Sequence, residues 1–108
     1  MGLDNCKVVD AVGIEKANGS VVLSIVDSWD WNDERRHLAA LQEKLKVYFS
    51  FVESGQIYES YPDAAGRALR IDIIGRYAVP PIGLAFLQKA SAAASQLSMV
   101  ISHRVQAG

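Results

Sequence analysis

A two-layer α+β sandwich, in which a four-stranded mixed sheet carries two helices on one face, is the fold that this sequence predicts. Three observations predict it. Two stretches rich in β-branched residues flank an Asn-Gly pair, a long stripe of apolar residues at three- and four-residue steps follows, and strand, helix and strand patterns close the chain. The element order is ββαβαβ, within a single domain spanning residues 1–108.

The first two strands are expected at Lys7–Ile14 and Ser20–Asp27. The Asn18-Gly19 pair between them predicts a hairpin closed by a type I′ turn, whose two central positions need positive φ. That two-residue loop would set Val12 opposite Ile25 and Ile14 opposite Leu23 on one side of the sheet. Ala11 would then lie opposite Val26 and Gly13 opposite Ser24 on the other.

From Trp31 to Ser54, Leu38, Leu41, Leu45, Tyr48, Phe49 and Val52 lay an apolar stripe along a helix. Asp30 is placed to cap it, Asp33 and Glu34 suit its positive end, and Gly55 is free to take the left-handed conformation that stops it. Ala40, Val47 and Phe51 widen the apolar surface. Arg35, Arg36, Lys44 and Lys46, interleaved with Glu43 and Glu53, read as a solvated face. Residues 56–67 read as a loop turning at Pro62-Asp63.

Strand three is expected at Ala68–Tyr77, with Leu69, Ile71 and Ile73 alternating against Arg70 and Asp72. Pro80 and Pro81 suit the first turn of a second helix that buries Ile82, Phe86, Ala90, Ala93 and Leu97, and Met99–Val105 forms a last strand. Right-handed crossovers put both helices on one face of the sheet, with the first strand antiparallel to the others. The opposite face, with Ala11, Gly13, Ser24 and Val26 on the hairpin, has no cover from this chain. It is the expected surface of a homodimer.

Composition bounds the partners. Eleven basic and twelve acidic residues give a formal charge of −1, with no basic stripe to neutralise phosphates, so nucleic acid is not an expected partner. No apolar run approaches the roughly 18 to 20 residues of a membrane helix. The single cysteine, Cys6, cannot form an internal bridge, and the first residues lack the regions of a signal peptide, so a cytoplasmic location is expected. No cofactor is expected, because there is no Gly-rich phosphate loop, paired Cys-x-x-Cys or Gly-x-Ser-x-Gly elbow.

Costly aromatics and charge meet only in the segment Asp27-Ser28-Trp29-Asp30-Trp31-Asn32-Asp33-Glu34. Two readings of it compete. Asp27, Asp30, Asp33 and His37 supply the oxygens and ring nitrogen of a metal site for assisted hydrolysis, although their spacing matches no established metal motif. Alternatively the acids serve capping and the helix dipole, and His37 forms a half-exposed pair with Asp33. The second reading is preferred. It leaves Trp29, Asp30, Trp31, His37, Tyr58 and Tyr61 as the rim of a non-catalytic protein or small-molecule binding surface. Cys6 has only His37 and His103 as bases anywhere in the chain, with no local signature for a nucleophile.

Trp29-Asp30-Trp31, then His37-Leu38, Leu41-Gln42-Glu43-Lys44-Leu45, Tyr48, Phe51, Glu53-Ser54-Gly55 and Tyr61-Pro62, resemble the pattern of a family of small bacterial proteins with no assigned function. The resemblance is strongest from Trp29 to Pro62. It implies a bacterial source and a shared two-layer fold, and it carries no activity. Gln42 and Lys44 are not needed for the apolar stripe, so any role of theirs is expected through contacts beyond the core.

Overall fold

A computed structural model of the chain describes residues 2–106; residues 1, 107 and 108, which the expected domain includes, lie outside the described residues. Strands β1 (Ala11–Ile14), β2 (Val21–Asp27), β3 (Leu69–Gly75) and β4 (Met99–Val105) form one sheet in the order β1-β2-β3-β4. β1 is antiparallel to β2, and the other two pairings are parallel. Helices α1 (Glu34–Glu53) and α3 (Pro81–Ser95) each cross from one parallel strand to the next. They touch one another and share a single core with the sheet, so both cover the same face. This is the predicted α+β class, and the predicted element order holds except for a short helix and a 3₁₀ turn added between α1 and β3.

The core follows from alternation in the strands. Val21, Leu23 and Ile25 of β2 and Leu69, Ile71 and Ile73 of β3 are buried toward the helices, against Leu41, Leu45, Tyr48, Leu87 and Ala94. A fully buried aliphatic side chain stabilises by roughly 1.5 to 3 kcal/mol, so these two strands anchor the fold. On the other face, Val22, Ser24, Val26, Arg70 and Ile74 are half-buried and Val100 is 62 % exposed. Among the described residues, nothing covers that face.

Four local expectations are corrected. The hairpin register is Val12 with Leu23 and Ile14 with Val21, two residues away from the one expected. The loop holds four residues rather than two: Glu15 N–H donates to the Ser20 carbonyl, Gly19 N–H donates to the Glu15 carbonyl, and Gly19 alone takes a positive φ, of 74°. Asn18 instead accepts from Ser20 N–H through its side chain, so the turn is not type I′. A shift of two keeps each residue on its expected face of the sheet, so Ala11 and Gly13 remain on the uncovered one.

β1 also starts later than expected. The carboxylate of Asp10 takes the place of a strand backbone there, accepting from Val26 N–H at 2.9 Å, while Asp10 N–H donates to the Tyr48 hydroxyl at 2.8 Å. Residues 56–67 are more ordered than a plain loop. Gly55, at φ 82°, ends α1 and opens the short helix α2 (Gln56–Ser60), which is followed by a 3₁₀ turn at Pro62–Ala64.

α3 buries a different line from the one expected. Gly83, Leu87 and Ala94 face inward while Ile82 is 48 % exposed, a rotation of about one residue around the axis. Gly83 sets the rotation. A Cβ built there would stand 2.5 Å from Val79 Cγ1 and 3.0 Å from Trp31 Cη2, so only glycine lets the helix start this close to the Trp31 ring. No helix among the described residues is long and apolar enough to cross a membrane.

Candidate functional site

Both tryptophans meet at the start of α1, around a histidine. His37 is 1 % exposed, and its Nε2 lies 2.5 Å from Asp27 Oδ2 at the C-terminal end of β2. Its Nδ1 lies 2.9 Å from the Asp30 carbonyl oxygen. A carbonyl only accepts, so Nδ1 donates there, and Nε2 is held by the Asp27 carboxylate. Trp31 stacks on the imidazole, with centroids 3.6 Å apart and planes at 11°, and Trp29 meets it edge-on at 5.8 Å. The outer face of Trp29 carries the Arg36 guanidinium at 4.5 Å.

The expected half-exposed pair of His37 with Asp33 is therefore corrected. His37 faces inward because position 37 begins the buried ladder His37, Leu41, Lys44, Leu45, Tyr48 and Val52 of α1. Asp33 is the cap, accepting from Arg36 N–H at 3.1 Å, a role that had been expected of Asp30. Three aspartates three residues apart repeat one device. Asp27 Oδ1 accepts from Trp29 N–H at 3.1 Å, Asp30 Oδ1 from Asn32 N–H at 3.0 Å, and Asp33 Oδ1 from Arg36 N–H.

These turns decide what the acids can do. Each carboxylate holds a backbone N–H two or three residues ahead, and Asp30 offers His37 only its carbonyl. The four candidate metal donors do not point at one spot, and no group of three or more His, Cys, Asp or Glu able to hold a metal occurs among the described residues. Nor can His37 act as a general base. Both ring nitrogens are engaged within the chain, and a base needs one within reach of a substrate proton.

The six rim residues divide between the two ends of α1. Trp29 and Asp30 line an open cleft of about 330 Å³ with Asp33, Arg36 and Tyr77, while Trp31 and His37 sit behind them as support. Tyr58 and Tyr61 lie at the far end of the 20-residue helix, roughly 30 Å away at 1.5 Å per residue. There Tyr61 meets Phe51 edge-on at 6.5 Å and stands between two clefts, of about 510 and 390 Å³.

A second buried polar cluster went unforeseen. Lys44, expected on the solvated face, is fully buried. Its ammonium donates to Asp10 Oδ1 at 2.7 Å, the Gly2 carbonyl at 2.8 Å and the Asn5 carbonyl at 2.9 Å. All three of its donors are used. Asp10 Oδ1 also accepts from Gly2 N–H, and Tyr48, which accepts from Asp10 N–H, donates its hydroxyl to the Ser24 carbonyl at 2.5 Å. Burial pushes the Tyr48 hydroxyl well above its ordinary range, and the nearby Asp10 charge adds to this against the opposing hydrogen bond from Asp10 N–H. The available signal was the ladder itself. Position 44 lies one turn from both Leu41 and Tyr48, and only the polarity of lysine argued against burial.

Cys6 makes two weak contacts, to the Leu3 carbonyl at 3.1 Å and the Ala40 carbonyl at 3.7 Å, and no histidine is among its partners. No curated protein and no solved structure matches the chain. Residues 1–107 match a family model that carries no assigned activity, in keeping with the resemblance read from the Trp29–Pro62 segment, and the chain belongs to the Family of unknown function (DUF6572).

Proposed function

We propose that the chain is a single-domain, non-catalytic interaction module that pairs with a second copy of itself across the open face of its sheet. One observation carries this reading. The polar side chains best suited to chemistry (Asp10, Asp27, His37, Lys44 and Tyr48) are bonded inside the fold, while the sheet face bearing Val22, Val26, Ile74 and Val100 is left without cover.

The charges on that face support a two-fold partner. Arg70 pairs with Glu15 at 2.8 Å, and Asp72 takes the Ser102 hydroxyl at 3.1 Å with Arg104 3.5 Å away, so cations and acids are equal in number. A two-fold partner of this face meets as many acids as cations, so its contacts carry no net like-charge repulsion. Four strands of seven residues or fewer give a face of about 19 by 23 Å in projection. That falls short of the roughly 800 Å² per partner of a standard interface, so the dimer belongs to the reversible, micromolar class.

The aromatic rim is the proposed docking place for a protein or small-molecule partner: Trp29 and Asp30, held by Trp31 and His37, at one end of α1, with Tyr58 and Tyr61 at the other. The setting is a bacterial cytoplasm. An unbridged Cys6 suits a reducing compartment. Sedimentation velocity from low to high micromolar concentration tests the dimer. The mass should rise toward twice 11.8 kDa, and Val100→Glu with Ile74→Glu should hold it at the monomer. A wild-type chain that stays monomeric throughout overturns the reading.

A further inference from the structure

The helix layer has an unfilled groove of its own. α1 and α3 run side by side and leave a cleft of about 420 Å³ whose floor is Leu45, Phe49, Phe86, Ala90 and Ala93. Phe86, Ala90 and Ala93 stand at i, i+4 and i+7 along α3, and Leu45 and Phe49 at i and i+4 along α1, so the floor is about two helical turns long. The two alanines keep one wall low. This is the room that one further helix takes when it lies between two others with its own i, i+3/4, i+7 side chains inserted.

The rim is cationic. Lys46 of α1 and Lys89 of α3 line the groove from opposite helices, and no acid lines it. Lys46 has Glu43 3.6 Å away on its own helix, but both side chains are more than 60 % exposed, so that pair does little to neutralise the rim. Lys89 has no ion-pair partner among the described residues. We infer that this groove docks an amphipathic helix of a partner protein, with an apolar stripe for the floor and glutamates or aspartates flanking it for Lys46 and Lys89. The occupant differs from the second copy proposed for the open sheet face, and it lies on the opposite side of the sheet.

Fluorescence anisotropy on the full chain tests this, using a labelled helical peptide of about 15 residues with leucines at i, i+3/4 and i+7 and glutamates on either flank. A second peptide replaces the glutamates with lysines. The acidic peptide should bind saturably and the basic one at least about tenfold more weakly, with the difference shrinking as salt is raised. Lys46→Glu with Lys89→Glu should weaken the acidic peptide about tenfold, two exposed pairs being worth that much together. Ala93→Trp, which fills the groove at an exposed position, should abolish binding with the circular dichroism spectrum unchanged.

Equal binding of the two peptides, or undiminished binding to Ala93→Trp, overturns the inference. So does a conversion of dimer to monomer by Ala93→Trp in sedimentation, which would make the occupant another copy of this chain. Loss of the dimer in the open-face variant with peptide binding intact would separate the two surfaces and support both.

Discussion

The two buried polar clusters on α1 solve the same problem by different routes. The first joins residues close in the chain: Asp27, Asp30 and His37 lie within ten positions, and the cluster closes through Asx turns and a tryptophan stack. The second joins residues 34 to 42 positions apart, with Lys44 drawing Gly2, Asn5 and Asp10 against the helix. One shapes the entry to α1, and the other binds the N-terminal segment to the core. The constellation legible in sequence is thus the local one, while the one that ties distant parts of the chain together is not.

Breaking each cluster should separate them. Lys44→Ala strands the Asp10 carboxylate and two carbonyls in the interior, and should cost about 3 to 5 kcal/mol in urea unfolding. Asp27→Ala strands one ring nitrogen whose neighbour at Nδ1 is still bonded, and should cost less, about 2 to 3 kcal/mol. If the Asp27 variant proved the more damaging, the ranking of the clusters would be reversed. The N-terminal segment should gain hydrogen exchange in the Lys44 variant alone.

Gly83→Ala sharpens the picture of how the first cluster is held from outside. The added methyl meets Val79 and the Trp31 ring, so a loss of about 1 to 3 kcal/mol is expected, with a shift in tryptophan emission. Adding Val79→Ala removes the nearer obstacle. The double variant should therefore be less destabilised than the sum of the singles, and additive losses would show that the close approach does not matter.

The smallest expected effect is a change in pH dependence, seen at alkaline pH. Tyr48 holds its proton more tightly in the fold than in the unfolded chain, where tyrosine titrates near pH 10. Its contribution is fully present below about pH 10 and falls as the pH rises beyond it. Tyr48→Phe should be destabilised at neutral pH by roughly 1 to 3 kcal/mol through its lost hydrogen bonds, and its stability should then decline less above pH 10 than that of the wild type.

Much of the architecture was legible because it rests on local periodicity. The alternation of Leu69, Ile71 and Ile73, the stripe from Leu41 to Val52, and the stop at Gly55 each depend on residues a few positions apart. The hairpin register was not legible, because Asn18-Gly19 marks a turn without fixing how many residues precede it. The face of α3 was set by a glycine touching a tryptophan more than fifty positions earlier. Lys44 was misplaced for a related reason. Residue type favours solvent for a lysine, and only the distant Asp10 and two carbonyls reverse that preference. Asp27, Trp29, Trp31 and His37, which stand out in the sequence, do meet in the fold. Their sequence could not reveal that the acids would turn to their own backbone.

His37 is a structural bolt with both nitrogens occupied rather than a reagent facing substrate. Carbethoxylation of the native chain, read by peptide mass spectrometry, tests this directly because the only other histidine, His103, is exposed on β4 and serves as an internal standard. His103 should be modified while His37 stays protected until urea unfolds the chain. Modification of His37 in the folded protein at a rate close to that of His103 would contradict it.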